Sequence, residues 1–167
     1  MGLVERTMRE LYGVARIIGL DVGESRIGVA VSDPSATLAR PVGILQVAGL
    51  GRAAVQAAVR EIERLAAEED GVAAVVVGLP RRLDGTPSQL TARVEAFAAR
   101  LRGRTGLAVF LQDERLSSRE AESRLALREK DWRARKARLD AAAAALILQD
   151  HLDARSGPGT PDEPGHP

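Results

Sequence analysis

Apolar residues along this chain fall into short blocks. Some repeat every two residues, as in a half-buried strand, and others every three to four, as in a helix. RIIGLDV from Arg16 and IGVAVSD from Ile27 read as two strands joined by the turn GESR, with Gly23 and Gly28 at turn or close-approach positions. After the Asp33-Pro34 turn, PVGILQV predicts a third strand, so the three form an antiparallel meander. Val55, Val59, Ile62 and Leu65 recur at helical spacing and predict a helix from about Arg52 to Glu68, ended near Gly71. The block VAAVVVG is short, continuous and apolar, the pattern of a central strand buried on both faces.

The loop LPRRLDG then leads into a helix with Thr86 as N-cap, Pro87 at the first helical position and Gln89 at the capping-box position; Leu90, Val94, Phe97 and Leu101 form its core-facing row. LAVFLQ is the next strand and runs into DERLSSREAE, where Ser117 and Glu120 make a second capping box for a helix through about Arg128. A last helix is expected from about Ala137 to Leu152.

Strand-helix-strand units imply a parallel portion with right-handed crossovers, and ligands in such sheets collect at the carboxyl ends of strands. The fold class is therefore α/β, a mixed sheet flanked by helices. Residues 1–15 read as an extension with a short helix from Val4 to Tyr12, residues 16–153 as one domain, and residues 154–167, rich in Gly, Pro and charge, as a disordered tail. A chain of 167 residues with 45% hydrophobic content suits a single core.

Composition narrows the chemistry. With no cysteine there is no disulfide framework and no thiolate metal site, and His151 and His166 lie near or in the tail, which argues against zinc and against a Ser-His-Asp triad. No segment is long and apolar enough to span a membrane and no signal-peptide core is evident, so the expected compartment is the cytoplasm. The net charge of +1 conceals uneven placement. Six basic residues (Arg128, Lys130, Arg133, Arg135, Lys136, Arg138) stand against Glu129 and Asp131 in one segment, a local +4. Aromatics are only 2% of the chain, so a nucleic-acid partner would be gripped by its phosphates and shape instead of by stacking.

Three carboxylates stand at the edges of apolar elements, where a solvated acid is not expected. Asp21 closes IIGLD, Glu114 follows LAVFLQD, and Asp140 opens LDAAAAALIL. Acids gathered at the rim of one core repel one another unless a hard cation sits among them, and clustered oxygen ligands are what Mg²⁺ or Mn²⁺ require. Two such ions hydrolyse a phosphodiester with carboxylates alone. Singly, each acid has a plainer reading: a strand end, an Arg115 partner, a helix cap. The basic segment runs directly into Asp140 and would deliver a phosphate backbone to it, and Arg81 and Arg82 follow a strand end where phosphate contact is expected. Gly19, Gly23 and Gly28 also permit backbone approach to a phosphate, as in a nucleotide-binding hairpin, but the second lobe of such ATPases has no room here. Trp132 reads as a helix-packing anchor before a stacking wedge.

Taken together, RIIGLDVGESRIGVAVSDP, ARPVGIL, VVVGLPRRLDG, DERLSSREAE and LDAAAAALILQDHL resemble, in order and spacing, the YqgF/RuvX family of bacterial RuvC-like nucleases, over about Arg16 to Leu152. The resemblance implies a ribonuclease H-like fold and carries the family's metal-binding, catalytic acids onto Asp21, Glu114 and Asp140. It places Arg115, Ser117 and Ser118 beside the second acid, to orient it or touch substrate. Where many resolvases carry a further acid three residues after the last one, this chain has Ala143. The implied activities are maturation of the 5′ end of precursor 16S ribosomal RNA, favoured here, and cleavage of four-way DNA junctions, which calls for a two-fold homodimer. A non-catalytic nucleic-acid-binding scaffold is the alternative of another class.

Overall fold

The computed structural model describes residues 15–115 and 132–156; the side chains of Arg115, of residues 132–138 and of Ser156 lie outside that description. The elements are β1 (Arg16–Val22), β2 (Arg26–Ser32), β3 (Ala39–Gln46), α1 (Arg52–Ala66), β4 (Val72–Arg81), α2 (Gln89–Thr105), β5 (Ala108–Arg115) and α3 (Trp132–Ser156). The five strands make one sheet in the order β3-β2-β1-β4-β5. β1 pairs antiparallel with β2, and β2 antiparallel with β3, while β1, β4 and β5 run parallel. An antiparallel meander joined to parallel strands, with helices on both faces, is the ribonuclease H-like arrangement expected above.

Strand alternation sorts the core into two layers. Ile18, Leu20, Val22, Val29, Val75 and Val77 pack with Val55, Val59, Ile62 and Leu65 of α1 and Val94, Phe97 and Leu101 of α2. Ile17, Ala30, Ala74 and Val76 point the other way, onto Ala144, Ile147, Leu148 and Leu152 of α3. β4 is buried from Val72 to Pro80 because it is covered on both faces, which explains its unbroken apolar run. Each fully buried Val, Leu or Ile contributes about 1.5–3 kcal/mol. β3 is half exposed at the sheet edge, where Pro41, which has no N–H to donate, is tolerated.

Several boundaries differ from the sequence reading. β4 continues past Gly78 to Arg81, in step with β5, so Leu79, Pro80 and Arg81 belong to a strand and not to a loop. The N-cap of α2 is Ser88, not Thr86: the Ser88 hydroxyl accepts from the Thr91 N–H, and the Thr91 hydroxyl accepts from the Ser88 N–H. Thr86 is already committed to the preceding turn, since its N–H and hydroxyl both donate to Asp84 and its carbonyl accepts from the Arg82 N–H. The last helix starts at Trp132 and continues to Ser156, past the expected domain end. The Arg, Lys and Ala of WRARKAR are good helix formers, so the helix extends back through the basic run ahead of the expected start at Ala137. His151 lies in this helix, as the expected span to Leu152 placed it, with its ring 5.3 Å from that of Phe110. The expected leader helix, the Ser117–Glu120 capping box and residues 157–167 of the expected tail lie outside the described residues.

Candidate active site at the carboxyl ends of the central strands

Asp21 alternates with Ile18 and Leu20 and shares the parity of Ile17, so it faces α3. Gly28 on β2, Gly78 on β4 and Glu114 on β5 have the parity of Ala30, Val76 and Phe110 and face the same helix. The register brings these positions together. Asp21 is the partner of Gly28, and Gly78 follows Val77, the partner of Leu20.

Three glycines then let α3 lie close on the strands. A Cβ on Gly28 would stand 2.2 Å from the Asp140 carbonyl oxygen, so the backbone of Asp140 rests directly over the strand position beside Asp21. A Cβ on Gly19 would meet Leu148 Cβ at 2.7 Å, and one on Gly78 would meet Ile147 Cδ1 at 2.6 Å and Glu114 Oε2 at 3.0 Å. Gly19 and Gly28 therefore seat a helix instead of a phosphate, which removes the nucleotide-hairpin reading of these two positions. The small residues Ala141, Ala143 and Ala144 are buried on the contacting side of α3 for the same reason. Ala143 sits one turn from both Asp140 and Ile147.

The three acids of the sequence reading thus reach one sheet face at one end, on β1, β5 and α3. Asp21 is buried, with 2% of its surface exposed, and Glu114 is half-buried near the end of β5. Asp140 is the ninth residue of α3, so it is an interior helix residue and neither opens nor caps the helix. The donor set is all oxygen, which suits Mg²⁺ or Mn²⁺, and Gly78 keeps a Cβ out of the space next to Glu114. Among the described residues no three His, Cys, Asp or Glu side chains stand close enough to hold an ion as they are. Instead the Asp140 carboxylate is engaged by Arg26, whose Nη1 lies 3.4 Å from Asp140 Oδ2, both side chains being about one-quarter exposed. The residues fit the cation in the chemistry of their oxygen donors and in sharing one sheet face, but not in spacing as they stand, with one carboxylate held by a guanidinium.

Sequence reasoning missed Arg26. The available signal was its parity: two residues before Gly28, it projects from the same face at the same strand end. Arg81 has the parity of Val77 and Leu79 and so belongs to the opposite face, where its Nε lies 3.5 Å from Asp113 Oδ1. Arg82 is exposed in the turn that follows. Ser117 and Ser118, and the side chains of Arg115, Trp132, Arg133, Arg135, Lys136 and Arg138, are outside the described residues, although the last five residues belong to the first turns of α3.

The family model described as "RuvX: Holliday junction resolvase" matches residues 15–154. A protein of Pelotomaculum thermopropionicum named "Putative pre-16S rRNA nuclease" is 38% identical over 158 residues, covering 89% of this chain and 99% of that protein. One of the same name from Anaeromyxobacter dehalogenans is 43% identical over 141 residues, covering 84% and 98%. Among solved structures, RuvC of T. thermophilus in complex with a Holliday junction substrate is similar at 17% identity and a TM-score of 0.47, over 86% of this chain and 96% of that one. A family match from the residue before the central strand β1 to the last turn of α3 takes in every element that positions the acids, and the chain belongs to the RuvX family.

Proposed function

We propose that this chain is a divalent-metal-dependent endonuclease that hydrolyses phosphodiester bonds in structured nucleic acid, with 5′-end processing of precursor 16S ribosomal RNA as its task. The observation that carries the reading is the convergence of Asp21, Glu114 and Asp140 on the α3 face at the carboxyl ends of β1 and β5. The names of the curated relatives support the RNA substrate. Asp21, Glu114 and Asp140 would hold Mg²⁺ or Mn²⁺. When bound, such ions supply an activated water and a charge clamp on the departing oxygen.

The chain's own residues do the rest. Asp21, fixed in a central strand and buried, anchors the site rigidly. Asp140 is set over Gly28 by helix-on-sheet contact, and Arg26 holds its carboxylate. The Arg26 guanidinium, at the same strand end, would also suit a phosphate oxygen of the substrate. The basic residues of the first turns of α3 (Arg133, Arg135, Lys136, Arg138), with Arg82, Arg115, Ser117 and Ser118, would grip the flanking backbone.

Incubating the purified chain with labelled precursor 16S RNA and a labelled four-way DNA junction, each with Mg²⁺ and with Mn²⁺, tests the assignment. Cleavage at the mature 5′ end of the RNA is expected. Symmetric nicking of the junction alone by a two-fold dimer would move the function to junction resolution. No cleavage of either, with nucleic acid still bound, would make the chain a binding scaffold.

A further inference from the structure

On the opposite side of the sheet from the acids, α1 and α2 border a cavity of about 580 Å³ lined by Arg52, Val55, Arg100, Gly103 and Arg104. The three arginines are exposed, and among the described residues none has an ion-pair or hydrogen-bond partner. Arg16, Arg26, Arg64, Arg81 and Arg93 are matched by Glu68, Asp140, Glu61, Asp113 and Glu24, while the exposed Arg40 and Arg60 stand singly without a partner among the described residues. Around this cavity positive charge is concentrated and not neutralised.

Gly103 adds a separate observation. It lies inside a helix, where glycine costs about 1 kcal/mol relative to alanine. A Cβ there would meet nothing within 4 Å, so packing does not require it. Its effect is to leave the wall of the cavity without a side chain between Arg100 and Arg104, which lie one turn apart. Arg52 is the first residue of α1, whose N-cap Gly51 makes no side-chain cap bond, so its first-turn N–H groups add partial positive charge on the same side.

We infer that this cavity is a second nucleic-acid contact, holding backbone phosphates of the substrate by guanidinium forks away from the bond that is cut. The inference rests on the nuclease reading and deepens it. Arginine suits this ligand because its planar fork matches phosphate oxygens in pairs. Packed layers stand about 10 Å apart, so the helix layers on either side of the sheet are separated by about 20 Å, the length of roughly six stacked nucleotides. A strand must turn around the molecule to occupy both places, which selects long or folded substrates over short ones.

The test is equilibrium binding by the full chain in EDTA, across a salt series, of a stem-loop RNA of about 30 nucleotides and a duplex of about 6 base pairs, which is too short and straight to turn around the molecule and reach both sites. Arg52→Gln/Arg100→Gln/Arg104→Gln is expected to weaken the long RNA at least tenfold and to lower the slope of log K against log salt by about 2–3. The short duplex should change less than about twofold. A triple Arg→Lys variant should recover part of the loss, since charge remains and the fork does not. Arg60→Gln, outside the cavity, controls for net charge. An equal loss on both lengths, an unchanged slope, or a loss matched by Arg60→Gln would overturn the inference. Displacement of the long RNA by millimolar inorganic phosphate, with no dependence on length, would make the cavity a small-anion site and overturn it too. Failure of the unmodified chain to bind either RNA would instead strike the nuclease reading itself.

Discussion

Arg26 and Asp140 come from distant parts of the chain, yet they approach to 3.4 Å, and in the proposed metal site this pair would set how a cation is taken up. A guanidinium next to a ligand carboxylate both competes for its oxygen and opposes a further positive charge. Arg26→Ala should therefore bind Mn²⁺ more tightly in the absence of substrate, by about threefold to tenfold, a partly exposed ion pair being worth roughly 1 kcal/mol. Calorimetric titration reads this directly. Unchanged or weaker binding by the folded variant would mean that the pair only braces α3. The acids were legible in the sequence as candidates, because each stands at the edge of an apolar run. Arg26 was not, since its partner lies 114 residues away and only packing brings them together.

At the scale of elements, the seat of α3 on the sheet makes an ordered prediction. Gly28→Ala drives a Cβ into the helix backbone at Asp140, where nothing flexible can give way, so it should cost about 3 kcal/mol or more and displace Asp140 from the proposed site. Gly78→Ala meets the far end of Ile147, which can move, and should cost about 1 kcal/mol. Urea unfolding of the two variants gives the order, and equal costs would argue against helix contact as the reason for the glycines.

The turn from β2 to β3 makes another. Partial desolvation pushes the Asp33 carboxyl upward, but hydrogen bonds from Thr37, Leu38 and Ser35 outweigh it and hold the group well below the usual carboxylate range. They also brace Ala36, whose φ of 56° is left-handed. A depressed folded value means stability that is present above the unfolded pKa and lost as pH falls. Asp33→Asn should accordingly be less stable at neutral pH, with the gap closing below about pH 4. A gap independent of pH would assign the turn's stability to something other than this charge. The strands were readable from alternation, while the start of α2 was not, because Thr86 and Ser88 are both good caps and only the Asp84 turn decides between them.

For the whole molecule, the meander and the parallel strands followed from local pattern: two short connections made the first, and two helical crossovers made the second. What pattern could not supply was which helix faces the acids. The alanine run signalled close packing without naming its partner, and the partner proved to be the glycines at positions 19, 28 and 78. That contact joins fold to chemistry, since it carries Asp140 across the sheet to Asp21 and Glu114. The most direct test is the single-turnover rate of precursor RNA cleavage by the unmodified chain, Asp21→Asn, Glu114→Gln and Asp140→Asn over a Mg²⁺ and Mn²⁺ titration. Each variant should fold, with unchanged circular dichroism, and lose at least about 100-fold in rate at saturating metal, as removal of a metal-ligand charge demands. A folded variant that cleaves at the full rate, or cleavage by the unmodified chain in excess chelator, would contradict a three-carboxylate metal centre at this place.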